Sequence, residues 1–166
     1  MLDQIIYIIA TGFYTGVFPV VPGVWGSSLA LLIWYFCKKF PLPLYSAVTA
    51  GIFFIGAFAA GAAEIKFAQM DASPIVIDEI LGIFVTLVFA SRDRFFWLAG
   101  FLVFCILDGL KPFPASWIDT HLQGGWGIML DDVVVGFYAL LVLHLIRHSD
   151  KRSRSVQTQN IPPPAK

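Results

Sequence analysis

Charge is what this sequence has least of. Only 13% of its 166 residues are Asp, Glu, Lys or Arg, and eleven bases balance eleven acids to a formal net charge of zero. That excludes the basic field on which nucleic-acid binders depend, so no nucleic acid is expected as a partner. Cysteine is scarce too. Cys37 and Cys105 stand singly in apolar runs without C-x-x-C or Cys/His spacing, so both read as small buried hydrophobes and neither a disulfide nor a zinc site is expected. The first ten residues are apolar but carry Asp3 where a signal peptide has a basic region, and no small-residue cleavage pattern follows. They are expected to belong to the mature protein.

What fills the chain instead is hydrocarbon. Hydrophobic residues make up 58% and aromatics 16%, with a mean hydropathy of +0.78, against roughly 45–50% apolar residues in soluble domains. Lipid is therefore the main solvent. Five apolar segments stand out at about 24–37, 43–63, 74–90, 95–107 and 127–146. A backbone in hydrocarbon must satisfy its own hydrogen bonds, and without the alternation of a barrel strand only helices do so. The expected fold is all-α, a polytopic membrane bundle of four to five apolar helices. The second and fifth segments approach the ~20 residues of a full crossing, whereas the first and fourth fall short and are candidates for tilted or re-entrant helices.

Pro41 and Pro43 separate the first two segments, Ser73 and Pro74 give a start signal for the third, and Gly124, Gly125 and Gly127 precede the fifth. One embedded domain over 1–148 is expected, followed by a polar tail, 149–166, that should be solvated and disordered. Two stretches, "DEILG" and "DDVVVG", each carry a carboxylate pair and then a glycine. Asp78 to Gly82 and Asp132 to Gly136 are both i,i+4, so a small residue lies one turn below each acid, where another helix can approach closely.

If the last three segments run up and down, the start of the third, the end of the fourth and the start of the fifth share one end of the bundle. Those places hold Asp78 and Glu79, Asp108 and Lys111, and Asp131 and Asp132; the start of the first segment, "FPVVPGVWGSS", falls there by the same counting. Crowded carboxylates repel and raise one another's pKa, and a hard divalent cation removes the conflict. Oxygen-only ligands favour magnesium or calcium over zinc, and magnesium commonly brings phosphate oxygens with it. Glycine-rich helix starts at Gly23, Gly26, Ser27 and Gly125, with the Lys111 cation, offer anion-binding groups on the same face.

Each element alone has a plainer reading. A carboxylate in a first turn favours the helix dipole, a glycine turn is usually a turn, and His121 reads as a loop residue. "TGFYTGVFPVVPG" lacks the lysine and spacing of a P-loop. Trp25, Trp34, Trp97, Trp117 and Trp126 lie mostly at segment ends, as an interfacial belt would. Five acids at one membrane depth are different, because ionisable groups in a membrane are costly and mark function.

The four blocks "ATGFYTGVFPVVPGVWGSS", "SPIVIDEILG", "FCILDGLKPFPASWID" and "HLQGGWGIMLDDVVVGFYA" together resemble phosphatidylglycerophosphatase A, a magnesium-dependent lipid phosphatase of the bacterial inner membrane. The resemblance runs from about Ala10 to His148. It implies hydrolysis of phosphatidylglycerophosphate, a membrane phospholipid, to phosphatidylglycerol and phosphate. It also implies an acidic site at Asp78, Glu79, Asp108, Asp131 and Asp132, with Asp78, Glu79, Asp131 and Asp132 holding Mg2+ and Lys111 binding substrate. No protein partner is inferable. The chain departs from the family pattern at Cys105, commonly arginine, at Val24, commonly threonine, and at Tyr14, commonly small.

Metal-assisted attack by water is the most economical chemistry, with an aspartyl-phosphate intermediate as a second possibility. The chain lacks the D-x-D-x-[TV] pattern of haloacid-dehalogenase phosphatases and the K-x6-R-P and P-S-G-H blocks of histidine-nucleophile lipid phosphatases. The alternatives weighed are a divergent phosphatase of another lipid phosphate, a membrane assembly subunit and a small cation transporter or channel. The last should space polar groups across the membrane, whereas the acids here gather at one end. Sidedness is contested. Lys38, Lys39, Arg92, Arg94, Arg147, Lys151, Arg152 and Arg154 cluster away from the acids, which by the positive-inside rule puts the acid end outside if every segment crosses. Re-entrant first and fourth segments reconcile the basic residues with the expected cytoplasmic-facing site.

Overall fold

The computed structural model describes residues 2–68, 72–90 and 94–149 in full, and the backbone of 150–159. The fold is all-α. In chain order come α1 (Leu2–Ala10), a single 3-10 turn (Thr15–Val17), α2 (Pro22–Cys37), α3 (Leu42–Phe67), α4 (Ile77–Thr86), α5 (Arg94–Leu110), α6 (Ala115–His121) and α7 (Gly125–Gln159). Among the described residues, α3 and the Gly125–Ser149 part of α7 are long and apolar enough to cross a membrane. The pair α5 and α6, bent by 50° at its break, makes a third if it counts as one span. Of the four to five apolar segments expected, two or three thus give helices long and apolar enough to cross among the described residues, because α2 with 16 residues and α4 with 10 are too short.

The centre of the bundle is α4. Nine of its ten residues are buried, and α2, α3, α5 and α7 all pack on it. Past its first turn α4 is apolar on every side, and such a helix is stable only inside a sheath of neighbours. Its start is fixed by the Val76 N–H, which donates to the Ala10 carbonyl at the end of α1 (2.9 Å). Ser73 and Pro74 form the turn that leads into this start, which delays the helix to Ile77. At its far end Tyr45 of α3 donates its hydroxyl to the Phe84 carbonyl (2.6 Å) and stacks on the Phe84 ring.

The two glycines beneath the acid pairs meet. A Cβ on Gly136 would stand 2.6 Å from the Gly82 carbonyl oxygen and 3.1 Å from the Val85 Cβ, so only glycine lets α7 come this close to α4. A Cβ on Gly82 would strike the Phe104 ring of α5. Thr86 ties the same crossing, donating to the Gly82 carbonyl at 2.8 Å and lying 3.3 Å from that of Gly136.

Trp34 departs from an interfacial belt. It is 1% exposed and packs against Trp97. The tail expected to be irregular from Ser149 continues as α7 through Gln159, and 160–166 lie outside the described residues. Arg92 and the side chains of Lys151, Arg152 and Arg154 are also outside them.

Candidate active site

Because α4 begins inside the bundle, its first turn carries Asp78 and Glu79 directly against the first two turns of α7. One carboxylate oxygen each from Asp78, Glu79 and Asp132 lies within 4.8 Å of the other two. All three side chains are buried, and the α1–α2 connection packs at Gly12 and Gly16 on Pro74 and Val76, which lead into α4. Oε2 of Glu79 and Oδ2 of Asp132 have no hydrogen-bond partner among the described residues. Burial first, and then the charges of Asp78, Asp132 and Asp108, push the Glu79 carboxyl well above the usual carboxylate range; α4 itself is too short to span. Three buried carboxylates this close, two of them with an oxygen that no protein donor meets, fit a hard divalent cation, and the set holds no sulfur or imidazole that would favour zinc.

A cavity of about 290 Å³ leads to this group. Asp78, Glu79, Asp108 and Lys111 line it together with Gly23 and Ser27 from the start of α2 and Cys105 from α5. Residues from α2, α4 and the end of α5 thus meet at one place, as counting helix ends predicts. Gly23 has a specific part in this. A Cβ there would fall 2.6 Å from Oε1 of Glu79 and 3.9 Å from Oδ2 of Asp108, so its bare Cα makes room for carboxylates beneath the positive end of α2.

Other expected residues sit elsewhere. Gly26 packs on Val76, and Gly125 packs on the Ala57 backbone of α3; neither lines the cavity. Asp131 is outside the group of three oxygens. Its Oδ2 meets the Lys111 ammonium at 2.8 Å, and its Oδ1 accepts the Asp132 backbone N–H at 2.8 Å. Lys111 holds a second acid that sequence reasoning missed, Asp119 of α6, at 3.0 Å. The signal was a carboxylate eight residues beyond the lysine, but only the break between α5 and α6 turns it back. His121 stacks on Trp117, away from the cavity.

The family model for phosphatidylglycerophosphatase A matches residues 8–147. A phosphatidylglycerophosphatase A of Escherichia coli K12 is 37% identical over 143 residues, 86% of this chain and 83% of the relative. One from Haemophilus influenzae is 32% identical over 145 residues, 86% of this chain and 89% of the relative. A Bacteroides thetaiotaomicron protein named "Putative phosphatidylinositol-3-phosphatase" is 33% identical over 148 residues, 84% of this chain and 92% of the relative. No solved structure matches. On the extent of these matches the chain belongs to the phosphatidylglycerophosphatase A family and is a phosphatase.

Proposed function

We propose that the protein hydrolyses phosphatidylglycerophosphate to phosphatidylglycerol and inorganic phosphate, with magnesium as its cofactor, at the cavity between α2, α4 and α5. The observation that carries this reading is the approach of Asp78, Glu79 and Asp132 to within 4.8 Å beside a cavity that also presents Lys111. These three acids are the ones that would hold the ion. Bound there, magnesium supplies charge neutralisation and polarisation of a phosphoryl oxygen. Asp108, on the cavity wall, takes a proton from water as the water oxygen forms the new bond to phosphorus. The ester bond to the glycerol oxygen breaks, and that oxygen leaves with a proton returned from the same carboxylate. Lys111, held by Asp119 and Asp131 on the cavity wall, brings a positive charge toward a phosphate oxygen.

Another lipid phosphate is a second reading, favoured by the name of the Bacteroides relative and by Cys105 on the cavity wall. Residence in the bacterial inner membrane with the cavity facing the cytoplasm goes with the first. The test is release of inorganic phosphate by purified protein in detergent, with and without magnesium, from phosphatidylglycerophosphate, phosphatidylinositol 3-phosphate and phosphatidic acid. Preference for the first by about tenfold or more in kcat/KM supports the proposal. Preference for either of the others replaces it.

A further inference from the structure

Between Asp3 and Lys38 the chain carries no charged residue, yet this stretch includes the non-helical links on either side of the 3-10 turn. Connections at the end of a membrane bundle usually run over the surface in water and are polar. This one instead exposes Phe13, Val17, Phe18, Val20, Val21 and Trp25. It is also built. Phe18 stacks on Trp25 with ring centres 5.0 Å apart, and the Trp25 indole N–H donates to the Val20 carbonyl at 3.0 Å. Phe13, Tyr14 and Val21 hold positive φ angles of 54°, 68° and 48°, a conformation that is costly for aromatic and β-branched residues and that persists where surrounding structure imposes it.

The position of this loop gives its exposure a purpose. Val21, Pro22 and Val24 line the acid cavity, so the exposed apolar side chains of the loop continue onto the cavity's wall. A phosphate at the carboxylates must leave its lipid tails pointing out of the same mouth, because about 290 Å³ accommodates a phosphorylated headgroup and not a diacyl chain pair.

We infer that the loop from Phe13 to Trp25 is the acyl-chain platform of the phosphatase: it grips the upper methylenes of the lipid whose phosphate enters the cavity, and it makes the enzyme select membrane-length diacyl substrates. The inference rests on the proposed lipid-phosphate hydrolysis. The rigid Phe18–Trp25 stack and the Val20 side chain supply the contact, and the charge-free backbone lets the platform lie at acyl depth. Apolar pockets discriminate by about tenfold or more per well-packed methylene contact.

The experiment compares dioleoyl and dihexanoyl phosphatidylglycerophosphate as substrates for the full-length protein and for Phe18→Ala and Val20→Ser, neither of which lines the cavity. The expected result is at least a fivefold fall in the dioleoyl to dihexanoyl ratio of kcat/KM in each variant, with dihexanoyl turnover kept. Should an unchanged ratio, or an equal loss on both substrates, be found, the inference is overturned while the hydrolysis stands. If the unaltered protein hydrolyses neither substrate, the proposed function falls and this inference with it. A second measurement needs no variant. A phosphatidylglycerophosphate with a diazirine near the top of one chain should label residues 13–25 at least fivefold more than a phosphatidylcholine bearing the same chain. Equal labelling would show general bilayer contact and overturn the platform.

Discussion

The Lys111 ammonium stands 2.8 Å from Oδ2 of Asp131, and the other oxygen of that carboxylate accepts the backbone N–H of Asp132. A line of polar contacts therefore joins Asp119 of α6, through Lys111 and Asp131, to the residue whose own carboxylate completes the group of three. The Lys111–Asp119 pair is partly exposed on both sides and contributes little stability, so the expected effect of breaking it is on the reaction. Asp119→Asn should lower kcat/KM by about tenfold, mainly through KM, and Asp119→Glu should restore part of it. Lys111→Met should cost about a hundredfold. Unaltered kinetics for Asp119→Asn would show that Lys111 needs no second brace.

Metal dependence should have a stability signature. Excess chelator should abolish turnover, and Asp78→Asn, Glu79→Gln and Asp132→Asn should each lower kcat by about a hundredfold or more. Removing one of several crowded, buried acids also relieves repulsion that no cation then offsets. In chelator, Asp132→Asn should therefore melt at a higher temperature than the unaltered protein; with magnesium present the order should reverse. A lower melting temperature under both conditions would mean that the carboxylate is held by protein donors and not for an ion.

The Gly82–Gly136 crossing sets the spacing of the acids. Gly136→Val should force α4 and α7 apart at a stability cost of about 1–3 kcal/mol, and misplacement of the carboxylates by around 1 Å should lower kcat by about a hundredfold. Gly51→Ala is the control, since a Cβ on Gly51 meets nothing within 4 Å. Thermal melting and turnover of both variants check this. Normal kinetics for Gly136→Val would show that the site tolerates the displacement.

Cys105 lies on the cavity wall one turn before Asp108. Cys105→Arg should place a guanidinium where it can reach a phosphate oxygen and lower KM by about threefold or more. Loss of folded protein would show a pocket already packed around the thiol.

Sidedness can be read by labelling. In a Cys37→Ala and Cys105→Ala background, Ser153→Cys should be inaccessible to an impermeant thiol reagent added outside whole cells, and so should Ser116→Cys. Labelling of Ser116→Cys alone from outside would put the cavity on the external face.

How far the sequence reaches is clearest at the two acid pairs. Apolar runs locate α2, α3, α5 and the start of α7 to within a few residues, because lipid leaves the backbone no alternative to helix, whereas the polar continuation of α7 to Gln159 carries no such signal. Counting helix ends likewise brings Asp78, Glu79, Asp108 and Lys111 to one cavity. Which acids touch is a different matter. Neighbours in a helix point about 100° apart, so Asp132 turns to the metal-sized group while Asp131 turns to Lys111, and no pattern in "DDVVVG" tells the two apart. The seven residues of α6 carry too little periodicity to be seen, and Asp119 was hidden with them. Nine-residue α1 could be read as apolar but not as the partner whose carbonyl starts α4.

Beyond Glu79 the central helix turns to hydrocarbon. Ile80, Leu81, Ile83 and Phe84 are almost fully enclosed, and about 10 Å of helix separates the last carboxylate from Thr86. By ending its polar face after one turn, α4 keeps its carboxylates at one end of the helix and puts only apolar side chains and Gly82 between Glu79 and Thr86.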